Sequence, residues 1–338
     1  MRAVGFNMPQ PITAETSLID IELPMPEAKG RDLLVEIKAV SVNPVDTKVR
    51  ASAAVEAGQH RILGYDAAGI VTAVGPDVKL FKPGDEVYYA GAINRPGTNA
   101  EYHLVDERLV GFKPKSLNFE EAAALPLTAI TAYEALFQRL KVQDKVPGAW
   151  NAVVVIGGAG GVGSIAIQLL RQLSDVTVIG TGSRPETQDW IRELGAHHVL
   201  DHSKPMAPQL NQMAIGQPAF VFSTTQTEQH VADIIELIAP QGRFSLIDDP
   251  KEPMDIRPFK SKALSVHWEL MFTRSLFQTA DMIEQHKLLN HVAELVDAKK
   301  IRTTLAHVIG SINAANLKKA HAVIESNRTK GKLVLSGF

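Results

Sequence analysis

The sequence predicts an α/β protein in which a doubly wound parallel sheet follows a compact domain of short β-strands. Three observations predict it. The 338 residues are enough for two domains of ordinary size. Short β-type runs broken by Gly and Pro fill roughly the first 125 residues, the texture of a barrel-like domain. After them, apolar β-type runs alternate with helical segments, and a knot of glycines joins the first such run to its helix.

In the β-rich part, "DLLVEIKAVSV" (Asp32–Val42), "AAGIVTAVG" (Ala67–Gly75) and "GDEVYYAG" (Gly84–Gly91) are strand candidates separated by turn residues. The texture changes at Ala122. There "AAALPLTAITAYEALFQRL" reads as helix, with Pro126 at a first turn where its missing donor is harmless. Six strand candidates follow: "AVVVIG", "VTVIGT", "HHVLD", "AFVFST", "GRFSLID" and "ALSVHW". Helical segments such as "RPETQDWIRELG" and "EQHVADIIELIAP" lie between them, as in a parallel sheet covered on both faces. Helices are expected over Leu276–Lys287, Leu289–Lys299 and Ala314–Ser326, then a last short strand in "GKLVLSG".

An apolar fraction of 45% and a charged fraction of 21% are those of a soluble globular protein. No apolar run approaches the ~18 residues of a membrane span, and the start lacks the apolar core of a secretory signal. The net charge is -2 and the basic residues are scattered, so neither nucleic acid nor a membrane is an expected partner. The chain has no cysteine, which excludes disulfides, thiolate nucleophiles and thiolate zinc sites. A reducing, cytoplasmic location is the expectation compatible with that.

Within "GGAGGVG", Gly158, Gly160 and Gly163 match G-x-G-x-x-G, with Ala159, Gly161 and Val162 filling the loop. The first glycine permits a tight turn, the second lets a pyrophosphate approach the backbone, and the third allows close helix–strand packing. A strand before and an amphipathic helix after supply the context for dinucleotide binding. An Asp or Glu at the end of the second strand would select NAD. Here "GTGSRPE" carries Gly182, Ser183 and Arg184 instead. A hydroxyl and a guanidinium suit a 2′-phosphate, so NADP(H) is the expected cofactor.

Over essentially its full length the chain resembles the medium-chain dehydrogenase/reductase superfamily. The resemblance rests on "VSVNPVDTKVR", "ILGYDAAGIVTAVG", "FKPGDEVYY", "LPLTAITAYEALF", "GGAGGVGS", "GSRPETQDWIRELGAHHVLDH" and "GKLVL", in that order. It is most similar to the zinc-type alcohol dehydrogenase-like proteins of the quinone oxidoreductase branch. The resemblance implies a GroES-like catalytic domain over residues 1–127 and an inserted Rossmann domain over 128–272. Residues 273–338 are then a return segment completing the catalytic domain. It also implies a homodimer, joined through the sheet edge at about Lys262–Trp268. Ser265→Pro is the substitution expected to break that ladder.

Zinc-dependent members hold their catalytic metal with a Cys where this chain has Asn43, and with a His–Glu pair where it has Tyr65–Asp66. Asn and Tyr are poor zinc ligands. The four-cysteine structural-zinc lobe is replaced by "VYYAGAINRPGTNAEYHLV", and His103, His197, His198, His202 and His267 have no metal-ligand spacing. No zinc is expected. By the same resemblance, Thr128 and Thr131 face the nicotinamide and phosphates, or else cap a helix. Asn43 hydrogen-bonds the ribose or a substrate oxygen, while Tyr65 points into the cleft or packs under the barrel. Lys332 reaches a cofactor phosphate or is solvated, and His202 lies near the adenine. Asp46 and Arg50 read as a structural polar pair. The expected function is NADPH-dependent, zinc-independent hydride transfer to a quinone or activated enone. The alternatives are a zinc-type alcohol dehydrogenase, and a catalytically decayed NADPH-binding sensor or structural protein.

Overall fold

The computed structural model describes residues 1–338. They fall into two units, Met1–Ile130 with Phe272–Phe338, and Thr131–Met271. The first unit opens with β1 (Arg2–Phe6), β2 (Ile19–Glu22) and β3 (Asp32–Val42), whose apolar side chains are mostly buried. α1 (Pro44–Ser52) begins at a proline. β4 (Arg61–Ile62), β5 (Ala67–Val74), β6 (Glu86–Tyr89), β7 (Tyr102–Asp106) and β8 (Val110–Phe112) follow. The long β3 pairs antiparallel with both β5 and β7, which is how one strand anchors a small barrel. Asn118 caps α2 (Phe119–Ala123), and α3 (Pro126–Tyr133) starts at its proline.

The second unit runs β9 (Trp150–Ile156), α4 (Gly161–Leu173), β10 (Thr177–Thr181), α5 (Pro185–Glu193), β11 (His198–Leu200) and α6 (Met206–Gln212). It continues through β12 (Pro218–Ser223), α7 (Thr227–Leu237), β13 (Arg243–Leu246) and β14 (Ser265–Trp268). The strands are all parallel in the order β11-β10-β9-β12-β13-β14, the doubly wound dinucleotide-binding order. Strand order reverses between β9 and β12, so ligand is expected at their carboxyl ends. Side chains from α4 (Ile165, Ala166, Ile167, Leu169 and Leu170) are fully buried. This is the Rossmann sheet the alternation predicts.

The chain then returns to the first unit as α8 (Thr273–Phe277), α9 (Glu284–Asp297), β15 (Leu305–Gly310), α10 (Ala314–Glu325) and β16 (Lys332–Ser336). The helices expected over 276–287 and 289–299 are divided elsewhere. Gln278, at φ +48°, ends α8, while the buried stripe Leu288, Leu289, Val292, Leu295 and Val296 runs unbroken along α9. β16 pairs parallel with β15 and antiparallel with β3, with Leu333 opposite Val42. The end of the chain thus lies against the end of β3. No helix is long and apolar enough to cross a membrane.

Candidate active site

In the second unit, the glycine loop joins β9 to α4. Gly157, at φ +78°, makes the tight turn, and a Cβ there would meet Thr224 Oγ1 at 2.6 Å. The turn thus belongs to Gly157 and not to Gly158, whose amide instead donates to the Thr181 carbonyl at 3.0 Å. A Cβ on Gly163 would stand 2.3 Å from the Gly157 carbonyl oxygen, so helix and loop can pack this closely only on glycine. Gly160 is different. A Cβ there would touch only the Gly157 oxygen at 3.4 Å, an ordinary contact, so the fold itself does not require glycine. Gly160 is the N-cap of α4, and Gly161, Val162 and Gly163 supply the first-turn amides that a helix leaves unpaired. Ala159 is buried, its carbonyl accepting from Ser164 Oγ at 3.2 Å. Unpaired amides at a helix N-terminus are the kind of group that can hold an anion.

At the end of β10, Thr181 Oγ1 accepts the Gly157 amide at 3.1 Å and lies 2.7 Å from His202 Nδ1. A hydroxyl can both donate and accept, so this bond engages His202 Nδ1 in either tautomer and leaves Nε2 as the ring's open nitrogen. Ser183 is exposed, and Arg184 is partly buried with Nε 2.7 Å from Glu186. Burial first, then His230 and Arg184, hold the His202 pKa below its usual value.

In the first unit, four polar side chains converge where β3, α1 and β16 meet. Asp66 Oδ2 accepts from Asn43 Nδ2 at 2.8 Å and Lys332 Nζ at 3.2 Å, while Oδ1 accepts the Leu127 amide at 2.7 Å. Lys332 Nζ also donates to the Val42 carbonyl at 3.0 Å and to Asn43 Oδ1. All three ammonium protons therefore have oxygens. Burial pushes the Asp66 carboxyl up and the Lys332 ammonium down, and each holds the other against that shift. Lys332 is thus a sealed internal cation, neither solvated nor available to a phosphate. The Asn43 amide is engaged at both ends and turned inward, contrary to a role against ribose or substrate. Asp46 accepts the Asn43 amide at 2.8 Å and the Gly64 amide at 2.9 Å, yet burial lifts its pKa to about 7. Arg50 donates to Gln10 and Glu325, so Asp46 and Arg50 are not each other's partners.

Tyr65 is 1% exposed, with its ring edge-on to Phe272 at 5.3 Å. Its buried hydroxyl makes no hydrogen bond of normal geometry, although the Arg61 guanidinium is near enough to act on it. Burial first and Asp46 second push its pKa up to about 12, so it remains a proton-bearing donor at neutral pH. Thr128 and Thr131 are both buried on α3, and Thr128 Oγ1 donates to the Leu125 carbonyl at 3.0 Å.

The comparisons agree with this architecture. The alcohol dehydrogenase GroES-like domain model matches residues 29–115, and the zinc-binding dehydrogenase model matches 194–335. A zinc-type alcohol dehydrogenase-like protein of Staphylococcus aureus (strain MSSA476) is 38% identical over 99% of this chain and 100% of its own. The chain belongs to the medium-chain dehydrogenase/reductase superfamily. A solved structure from Rhizobium etli CFN 42, assigned as a zinc-dependent alcohol dehydrogenase protein, is 63% identical with a TM-score of 0.98, covering 100% of this chain and 98% of that one. An NADPH-dependent alkenal/one oxidoreductase of Arabidopsis thaliana is 36% identical over 55% of this chain and 49% of its own. This member of the superfamily is an oxidoreductase with an NAD(P)-binding domain.

Sequence reasoning missed Asp66 as the hub of the buried network, Thr181 as the link from glycine turn to His202, and His230. A polar residue ending a β-run was the available signal for Thr181. For Asp66 the resemblance marked the position but not its partner, since Lys332 is 266 residues away.

Proposed function

We propose that the protein is a zinc-independent oxidoreductase that uses NADPH to reduce quinones or activated enones. The observation that carries this reading is the Lys332 ammonium buried against Asp66 and Asn43. By resemblance, Asn43, Tyr65 and Asp66 stand where zinc-dependent members hold their metal. Asp66 is the sole anion among the three, and its oxygens already bond an ammonium and two N–H donors. A zinc ion would have to displace a lysine and then accept an amide and a phenol as ligands, so the donor set does not fit it.

Without a metal, an alkoxide lacks its main stabiliser. Alcohol oxidation is then expected to be very slow. A quinone or enone needs less help, since the charge arriving with hydride delocalises onto an oxygen and a proton follows from water. Tyr65 suits the task of donating to that oxygen. Leaving a buried hydroxyl unpaired costs about 1–3 kcal/mol, which a substrate carbonyl would relieve. Asn43 and Lys332 keep the floor of the site fixed. When bound, NADPH supplies the hydride; the glycine loop would hold its pyrophosphate, and Ser183 and Arg184 its 2′-phosphate. The name of the Arabidopsis relative supports this substrate and cofactor class.

The test is direct. Quinone or enone reduction with NADPH should survive strong chelators, elemental analysis should find no stoichiometric zinc, and ethanol should be a very poor substrate. One zinc per chain, with activity lost on chelation and restored by zinc, would establish the alcohol dehydrogenase reading instead. Absence of NADPH consumption across quinones and enones would favour a decayed sensor.

Arg184→Ala should weaken NADPH about ten- to a hundredfold, the worth of a hydrogen bond to a charged group, and leave NADH unchanged. Equal losses in titrations of both cofactors would remove Arg184 from the 2′-phosphate site.

The proposed assembly is a homodimer formed through β14, the edge strand of its sheet, where Trp268 is 53% and Leu270 50% exposed. Ser265 is the wrong probe for that edge. Its amide and that of Glu269 donate inward, to Gly242 and Leu246 carbonyls at 3.1 Å each. Alternation then points the Val266 and Trp268 amides outward. Val266→Pro should therefore convert the dimer to monomer at micromolar concentration in light scattering, and a dimer that persists would refute edge pairing.

A further inference from the structure

His230, on α7, makes no hydrogen bond within the chain, and its ring stands 5.8 Å from that of His202. Both rings are partly buried, beside the turn that carries Ser183 and Arg184. We propose that His202 and His230 complete the 2′-phosphate subsite and that His230 takes up a proton when the 2′-phosphate of NADPH binds. The proposal rests on the NADPH reading above.

The two imidazoles differ in what they can do. His202 has its Nδ1 tied to Thr181 Oγ1 at 2.7 Å, so only its Nε2 is open to a ligand. His230 has no such tie, and either nitrogen is open to a proton.

The charged groups around the pair come from every neighbouring segment. Arg184 from the start of α5 and Asp201 from the end of β11 act on His202. Asp233 on α7 and Asp248 after β13 act on His230. Both of those carboxylates already cap helices. Asp233 accepts the Met206 and Ala207 amides, and Asp248 accepts the Thr227 amide at 2.8 Å. Burial leads in holding each imidazole below its ordinary pKa, so both are neutral at pH 7 in the free protein. A dianion between them and Arg184 reverses the balance for the ring able to accept. One proton moves from solvent to a His230 nitrogen, and no other bond changes. NADPH affinity should accordingly rise as pH falls from 8 toward the ordinary histidine value of about 6.5, whereas NADH affinity should not.

Calorimetric titration at pH 7.0, in buffers of differing ionisation enthalpy, counts the protons bound. The expected result is an uptake with NADPH, up to one proton, that NADH does not show. His230→Gln keeps a donor but cannot ionise; it should abolish that uptake and weaken NADPH about tenfold, leaving NADH unchanged. Tighter binding of NADPH than NADH with no extra proton, or an extra proton that survives in His230→Gln, overturns the proposal while the NADPH reading stands. NADPH binding no tighter than NADH would overturn both.

Discussion

Gly160→Val should abolish NADPH binding and leave the fold standing. Two facts set this position apart from the glycines around it. Its backbone, at φ −69° and ψ 173°, is open to any residue, and its Cβ would meet nothing closer than the Gly157 oxygen at 3.4 Å. Glycine here therefore serves something other than the chain's own packing. The amides that follow are the unpaired first turn of α4, at the positive end of its dipole. An isopropyl group on the N-cap would stand where a pyrophosphate must approach those amides. Titration with NADPH should show no saturable binding, while the circular dichroism and melting midpoint stay close to the parent's. Gly163→Val is the contrast: its Cβ would meet the Gly157 carbonyl oxygen at 2.3 Å and should unfold the unit. A Gly160→Val protein that bound NADPH normally would mean the loop holds no pyrophosphate.

The parallel sheet was legible because its strands are buried on both faces and so read as continuous apolar runs, as in Ala152–Ile156. The glycine loop was legible as a motif, but its register was not. In the pair Gly157–Gly158, only the backbone angle shows which residue makes the turn. The helix boundary near Gln278 was hidden for a similar reason, since a glutamine at positive φ carries no sequence signal. The polar network failed differently. Asn43 and Asp66 lie on loops near one another in sequence, yet their orientation depends on Lys332, delivered by β16 pairing with β3 from the far end of the chain. Local reading saw an asparagine before a proline and a strand-end lysine. Their meaning exists only as a contact.

That contact makes the largest stability prediction. Lys332→Met should destabilise the first unit by about 3–5 kcal/mol, the usual effect of removing one partner from a buried ion pair. Asp66 is fully buried; without the ammonium its charge keeps the Asn43 amide, the Leu127 N–H and a long bond from the Ser41 hydroxyl, all from neutral donors. Its carboxyl, already raised by burial, would rise further once the ammonium that opposes the shift is gone, so protonation becomes easier as the pH falls. The variant should therefore recover stability as the pH is lowered, because protonation removes the uncompensated charge. This is the reverse of a carboxylate whose folded pKa is depressed. Replacing both members, Lys332→Met with Asp66→Asn, removes both charges and should restore most of the loss. Melting midpoints of the parent, both single variants and the double variant, at pH 6 and pH 8, give the cycle. A Lys332→Met protein as stable as its parent at pH 8, or a double variant no better than the single, would show that the pair does not hold the site together.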